Sequence, residues 1–266
     1  MPESISRAEG RHLFGLDPES YDAARPQYPD SIYRFMLDRG ALRPDAATLE
    51  IGAGSGLATR RLIEYGARPI TVIEPDARFA PQLTSLANVH LVQSAFEDAQ
   101  LASHSFDLVA AATSFHWLDP TVAIDKIARL LKPGGYAALW WNLFGDADRA
   151  DPFHDATQSL LADLAVSPSG APNMLPFALD RPAREQEFAR SGKFDAVEYS
   201  ETRWTLTLNT RQVGQLYGGF SHIQRLPEAQ RVELLERLMA VAQAGFGGLV
   251  ARNMLSAIYL ARRKDP

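Results

Sequence analysis

Residues Thr48 to Arg60 read TLEIGAGSGLATR, and no other stretch constrains the fold as much. Leu49 and Ile51 are strand-type apolar positions, Gly52, Gly54 and Gly56 follow at once, and Leu57, Ala58, Leu62 and Ile63 then recur at helical spacing. A buried strand therefore runs through a glycine loop into an amphipathic helix. Missing β-carbons let a ligand approach the backbone, and the helix start presents free N–H groups and the positive end of its dipole. The segment predicts a nucleotide-type cofactor site that accepts a carboxylate or a phosphate equally well. A tight turn with no ligand also needs glycine, and that alternative stays open at this point.

The flanking sequence repeats the strand and helix alternation. PITVIEP is a second apolar strand ending at Glu74, a helix is expected from Asp76 to Leu86, and Val89–Val92 and Phe106–Ala112 are further strands. Asp119-Pro120 starts a helix with Val122, Ala123, Ile124, Ile127, Leu130 and Leu131 on its buried side. Lys132-Pro133-Gly134-Gly135 stops it, and Tyr136 to Trp141 is a fifth strand. Short apolar runs separated by helices describe a parallel sheet covered on both faces. The chain from Thr48 to Trp141 is thus a doubly wound α/β unit, which binds ligands outside the carboxyl ends of its strands.

Beyond Asn142 the character changes. Asp151-Pro152 is a helix start, and SPSGAPNMLPFALDRPARE reads as loop. Regular structure returns with Phe194 to Leu208, a helix from about Pro227 to Ala244, and a last strand from Leu255 to Ala261. The last two strands are expected to close the sheet, and the helices between them to cap the cofactor. The organisation expected is an N-terminal helical lid over 1–43, a Rossmann-like cofactor-binding core over 44–142, and cap helices and closing strands of the same domain over 143–266.

Composition narrows the function classes. With 266 residues and 46% hydrophobic content the chain can bury a full core. The absence of cysteine excludes disulfides, thiolate zinc sites and a thiol nucleophile. No apolar run reaches the roughly 18 residues of a membrane span and no secretory start is present, so a cytoplasmic location without membrane association is expected. A net charge of −5 with both signs mixed lacks the basic footprint of a nucleic-acid binder. The histidines show no ligand spacing, so no metal is expected.

The identity of the cofactor turns on two details. A nicotinamide or flavin fingerprint spaces its glycines G-x-G-x-x-G, whereas here the spacing is G-x-G-x-G and Glu50 precedes it in the strand. An acid at that point repels a pyrophosphate and attracts an ammonium. The segment resembles motif I of the class I S-adenosylmethionine-dependent methyltransferases. VIEPDARF, SAFE, FDLVAAATSFHW and LLKPGGYAALWW resemble that family's later segments in the right order. YDAARPQYP from Tyr21 together with Phe115-His116-Trp117 is similar to its small-molecule branch called type 11, including trans-aconitate methyltransferase-like proteins.

This resemblance implies a doubly wound, Rossmann-like, mostly parallel seven-stranded sheet with an antiparallel last strand and a helical cap. It implies S-adenosyl-L-methionine as cofactor, S-adenosyl-L-homocysteine as product, and a small-molecule methyl acceptor. Residues it places at the cofactor are Tyr21, Arg25, Glu50, Gly52, Ala53, Gly54, Gly56, Glu74, Pro75, Ala95, Phe96, Glu97 and Thr113. Glu74 matches the acid that bonds the ribose hydroxyls, with Asp76 close enough to share the role. Ser94 to Glu97 matches the adenine segment, where Phe96 either packs on the ring or is core. Arg25 would face the methionyl carboxylate or lie on the surface.

After the fourth strand, Thr113-Ser114-Phe115-His116 stands where amino-methylating nucleic-acid enzymes carry Asn/Asp-Pro-Pro-Tyr/Phe, which argues further against a nucleic-acid substrate. His116 is the candidate catalytic residue, its imidazole suited to proton transfer near neutrality. Shaping the acceptor pocket is its competing role. Arg203, Arg211 and Arg225 suit either acidic acceptors or exposed helix faces, and Trp140, Trp141, Trp204, Tyr217 and Phe220 are candidates for an apolar acceptor pocket. Two other functions stay open from sequence: an S-adenosylmethionine-binding protein without methyl transfer, and a nicotinamide-dependent oxidoreductase.

Overall fold

The computed structural model describes residues 25–146, 148–162, 164 and 175–265. Its strands are β1 (Thr48–Ile51), β2 (Ile70–Ile73), β3 (Val89–Val92), β4 (Phe106–Ala112), β5 (Leu131–Phe144), β6 (Glu198–Asn209) and β7 (Leu249–Arg262). They form one sheet in the order β3-β2-β1-β4-β5-β7-β6. β1 to β5 pair in parallel. β7 runs against β5: Gly134 N–H bonds to Arg263 O, whereas Gly145, later in β5's direction, bonds to Asn253, earlier in the chain.

Chain order reverses between β1 and β4, and such a switch point opens a crevice at the strands' carboxyl ends. All four residues of β1 are buried because it has a neighbour on each side, with Glu50 in register with Val72 and Ala110. The order and the antiparallel last strand agree with the fold expected from sequence.

The helices are α1 (Asp30–Asp38), α2 (Leu57–Glu64), α3 (Ala80–Thr84), α4 (Pro120–Leu130), α5 (Pro152–Leu161), α6 (Arg181–Ser191), α7 (Thr210–Gly218), α8 (Ser221–Gln224) and α9 (Glu228–Phe246). Asp119 caps α4, accepting from the N–H groups of Thr121 and Val122, and Asp151 caps α5 through His154 N–H.

Several boundaries differ from the sequence reading, each for a local reason. The helix expected from Asp76 to Leu86 is a 3-10 turn, Ala77–Phe79, followed by the short α3, because Pro81 lacks an N–H and starts a new helical turn. Val122 is not on the buried side of α4. It is 56% exposed, and the inward positions are Ala123, Ile124, Ile127, Ala128 and Leu130. Leu131 already belongs to β5, which runs through the Lys132–Gly135 stop signal.

α6 begins inside the stretch read as loop, where Asp180 caps Ala183 N–H and a proline occupies the first turn. As in α4, an aspartate cap is followed by a proline in the first turn, here one residue later and obscured by the prolines upstream. β7 begins at Leu249 rather than Leu255, because the buried Arg252 interrupts the apolar alternation by which the strand would be read.

The chain divides into two units. One comprises Gln27–Trp141, Leu175–Thr202 and Ser256–Pro266 and contains β1 to β4, the glycine loop and α6. The other comprises Asn142–Met174, Arg203–Leu255 and Met1–Pro26, so far as these residues are described. Its core gathers Phe153, Val213, Leu216, Leu238, Ala242 and Val250. Within it the buried Arg252 guanidinium donates to both oxygens of Asp151 and to Tyr217 Oη, closing one charge with another. No helix among the described residues is long and apolar enough to cross a membrane.

Candidate cofactor and active site

Glu50 is the buried acid of the central strand. It is 1% exposed, and Thr59, one helical turn into α2, donates its hydroxyl to Oε2 at 2.6 Å. The other oxygen accepts no hydrogen bond among the described residues. Burial raises the carboxyl's pKa from 4.5 to about 8, the Thr59 bond lowers it and the nearby Glu74 charge raises it further.

The glycine loop turns away from β1 through left-handed backbone. Gly52 has φ +68°, and a β-carbon there would sit 2.7 Å from Ser114 Cβ, because the ends of β1 and β4 touch at this point. Ser114 Oγ closes the contact by donating to Ile51 O. Gly54 has φ +54°, and a β-carbon there would meet no atom of the described residues within 4 Å. Gly52 is thus required by the protein's own packing, whereas Gly54 borders open space. Gly56, also left-handed, is the N-cap of α2. Ala53 is buried between them.

Across the switch point, Thr113 also takes a positive φ of 55°. That is a strained conformation for a β-branched residue. It is held by Thr113 N–H to Trp140 O at 2.7 Å and by a 2.8 Å hydrogen bond between its hydroxyl and Tyr28 Oη. The Tyr28 segment, which the sequence placed ahead of the core, therefore ties to the end of β4.

Glu74, at the end of β2, is buried and accepts from Gly54 N–H at 2.8 Å through Oε2 and from Asp76 N–H at 2.9 Å through Oε1. It fastens the glycine loop to the second strand. Asp76 is engaged by the Arg78 guanidinium at 2.6 to 3.0 Å and starts the following turn. Pro75 beside it is exposed. After β3, Ala95 is partly exposed, Glu97 is exposed and Phe96 is buried at 3%. A ring so deeply buried serves as an anchor for this turn.

His116 lies in a 3-10 turn, Phe115–Trp117, after β4 and is buried. Trp141 Nε1 donates to its Nδ1 at 3.2 Å, which places the ring proton of the neutral imidazole on Nε2. Around it stand Trp117, with ring centroids 4.6 Å away, and Phe177 at 6.2 Å. Phe177 also packs on Trp141 and Phe115, and the Arg184 guanidinium lies 3.4 Å from its ring centroid. Arg184 is held by both oxygens of Glu187 and donates to Phe177 O.

Of the residues named from sequence, one unit therefore contains Glu50, Gly52, Ala53, Gly54, Gly56, Glu74, Pro75, Ala95, Phe96, Glu97, Thr113 and His116. Arg25 belongs to the other unit, and Tyr21 lies outside the described residues. Trp140 and Trp141 are buried. Arg203 is paired with Asp148 and Asp146. Sequence reasoning passed over Phe177 and Arg184. Their only local signal was an arginine two residues after the proline of a helix start.

The strand order and the loop at its switch point define the class I, Rossmann-like methyltransferase fold. The methyltransferase domain family matches residues 49–139, and the chain is an S-adenosylmethionine-dependent methyltransferase. An uncharacterized methyltransferase of Schizosaccharomyces pombe is 27% identical over 260 residues, covering 94% of this chain and 96% of its own. The ubiquinone biosynthesis O-methyltransferase of Xanthomonas oryzae is 35% identical over 130 residues, covering 43% of this chain and 52% of its own. The solved phosphoethanolamine N-methyltransferase 2 of Haemonchus contortus superposes with a TM-score of 0.56 at 13% identity, over 94% of this chain and 58% of that one, a likeness of fold.

Proposed function

We propose that this chain transfers the sulfonium methyl of S-adenosylmethionine to an oxygen, nitrogen or carbon nucleophile of a small molecule. The observation that carries the reading is Glu50: a buried carboxyl with one oxygen unpartnered among the described residues, beside a loop where Gly54 leaves room for a ligand. An α-ammonium fits that oxygen, and a dinucleotide pyrophosphate does not. Glu74 is positioned for the ribose diol, the 95–97 turn for adenine, and Thr113 and the Tyr28 segment for the sulfur-bearing end.

The bound cofactor supplies an already activated methyl group, so the protein's contribution is alignment and exclusion of water. In this reading His116 orients the acceptor by donating from Nε2, because its Nδ1 lone pair is already taken by the Trp141 indole. A base at that nitrogen would have to break the indole bond first. Acceptors that ionise unaided, such as carboxylic acids of the kind the trans-aconitate-like branch suggests, fit this arrangement without a base. The named O- and N-methyltransferases among its relatives leave the receiving atom open.

His116→Ala is expected to leave S-adenosylhomocysteine affinity within about twofold while lowering turnover. It should also cost about 1–3 kcal/mol of stability, since the buried Trp141 N–H loses its acceptor. Titration calorimetry and denaturant unfolding read the two effects separately, and loss of cofactor binding would remove His116 from the acceptor side. Glu74→Ala is expected to weaken S-adenosylhomocysteine binding by roughly tenfold or more, through lost acceptor oxygens and a loosened loop. Unchanged affinity would take Glu74 out of the site. The function itself is tested by incubating the protein with labelled S-adenosylmethionine and panels of carboxylic, phenolic and amine acceptors. The reading expects label in an organic product, and label appearing in added protein or nucleic acid instead would contradict it.

A further inference from the structure

Lys126 stands on α4 but points at the turn after β3. Its Nζ donates to three backbone carbonyls there, Phe96 O at 2.5 Å, Ala99 O at 2.8 Å and Glu97 O at 3.0 Å. It lies 5.0 Å from the centroid of the buried Phe96 ring. An ammonium has three N–H donors, and all three converge on this one turn. No acid forms an ion pair with Lys126 among the described residues. An exposed lysine on a helix normally solvates its charge or pairs with an acid, so this use of every donor on main-chain oxygen calls for an account.

The turn itself is closed by Asp98 N–H and Ala99 N–H, which both bond to Ala95 O. In a trans peptide the C=O and the following N–H point to opposite sides. Drawing Phe96 O onto Lys126 therefore turns the Glu97 N–H to the opposite side of the turn. Phe96 itself is buried, with the ammonium 5.0 Å from its ring centroid.

We propose that Lys126 is a positioning residue for the adenine end of the cofactor, its ammonium fixing the 95–99 turn so that a main-chain N–H of the turn meets the base. The proposal rests on the reading that this turn meets adenine. Adenine N1 accepts a hydrogen bond, whereas the corresponding nitrogen of hypoxanthine carries a proton and repels an N–H. An N–H held in a fixed direction thus selects adenine over hypoxanthine, and a loosened turn loses that selection. Lys126 touches neither ligand nor reacting atom, and acts through the turn alone.

The test compares S-adenosylhomocysteine with S-inosylhomocysteine by titration calorimetry on the full chain. The wild type is expected to prefer the adenine form. Lys126→Met keeps the stem and removes the three donors. It is expected to lower S-adenosylhomocysteine affinity by roughly tenfold, as for loss of charged hydrogen bonds, and to narrow the preference over the inosine form. Lys126→Arg keeps the charge and favours folding, but its planar fork cannot converge on three carbonyls, so affinity and preference should fall between those of wild type and methionine.

Equal losses for both ligands would reduce Lys126 to a general structural role and overturn the proposal. So would wild-type affinity and preference in the methionine variant, or in the arginine variant should methionine fail to fold. A wild-type protein that binds neither ligand contradicts the cofactor reading itself, a result seen before any variant is made.

Discussion

Replacing Glu50 with glutamine is expected to weaken S-adenosylhomocysteine binding by roughly 100-fold, the loss typical of removing one partner from a buried charge pair, while making the protein alone more stable at alkaline pH. The two effects have one cause. In the unfolded chain a glutamate titrates near its ordinary 4.5, and in the fold burial raises Glu50 to about 8. Between those values the folded state holds a proton that the unfolded state has released. Stability of the ligand-free wild type therefore falls as pH rises through this window, by about 1.4 kcal/mol per unit, and levels off above it.

Glutamine retains the Thr59 hydrogen bond, has nothing to ionise, and should show no such slope from this site. Binding of an ammonium runs the other way. It requires the carboxylate, so below pH 8 each bound ligand displaces a proton. Wild-type affinity should rise up to about tenfold per pH unit toward 8 and then flatten. Titrations at pH 6, 7 and 8, with denaturant unfolding over the same range, check both slopes. An unchanged affinity and an identical pH profile in Glu50→Gln would separate Glu50 from the cofactor.

Gly52→Ala and Gly54→Ala should fail for different reasons although both residues have positive φ. At Gly52 the new β-carbon lies 2.7 Å from Ser114 Cβ, an atom fixed to the backbone. Clash and left-handed strain together are expected to cost about 2–4 kcal/mol, a fall in Tm on the order of 10 °C. At Gly54 nothing among the described residues stands within 4 Å, so only the backbone strain of about 1 kcal/mol is expected. Its methyl group would project into the space where a ligand approaches, and binding should fall by at least tenfold while the fold persists. Thermal unfolding and titration of both variants distinguish the cases. Ser114→Gly in the Gly52→Ala background removes the opposing β-carbon, and compared with the Ser114→Gly single variant, which also lacks the Ser114 hydroxyl bond to Ile51 O, it should recover the clash term. Equal stability losses in the two single variants would contradict the division of roles.

What the sequence revealed follows how local each signal is. β1, the glycine loop and the Asp119 cap are written in consecutive residues, and their chemistry follows from spacing alone. Val122 was misplaced because an apolar residue in a helix's first turn fits a buried stripe equally well by periodicity. α6 was hidden by prolines that mark loops as readily as helix starts. β7 was read short because Arg252 on an inward position breaks the apolar pattern, and only its pairing with Asp151 and Tyr217 explains how the fold tolerates it.

The site divides in the same way. Glu50 and Glu74 are adjacent to strand ends and were legible. The indole that occupies His116 Nδ1 comes from the neighbouring strand, Phe177 and Arg184 come from a distant segment, and the three carbonyls around Lys126 come from another loop. Each of these depends on tertiary approach, which no run of residues records. Lys126 in particular is indistinguishable in sequence from a solvated lysine on a helix face.

In the function proposed above, the loop at the end of β1 binds an amino-acid-bearing nucleoside through Glu50. Titration calorimetry of the full chain at pH 8 with S-adenosylhomocysteine and, separately, NAD tests it directly. The predicted result is a single S-adenosylhomocysteine site, strongly weakened in Glu50→Gln, and no heat from NAD beyond dilution. Tight NAD binding with no response to S-adenosylhomocysteine would contradict it.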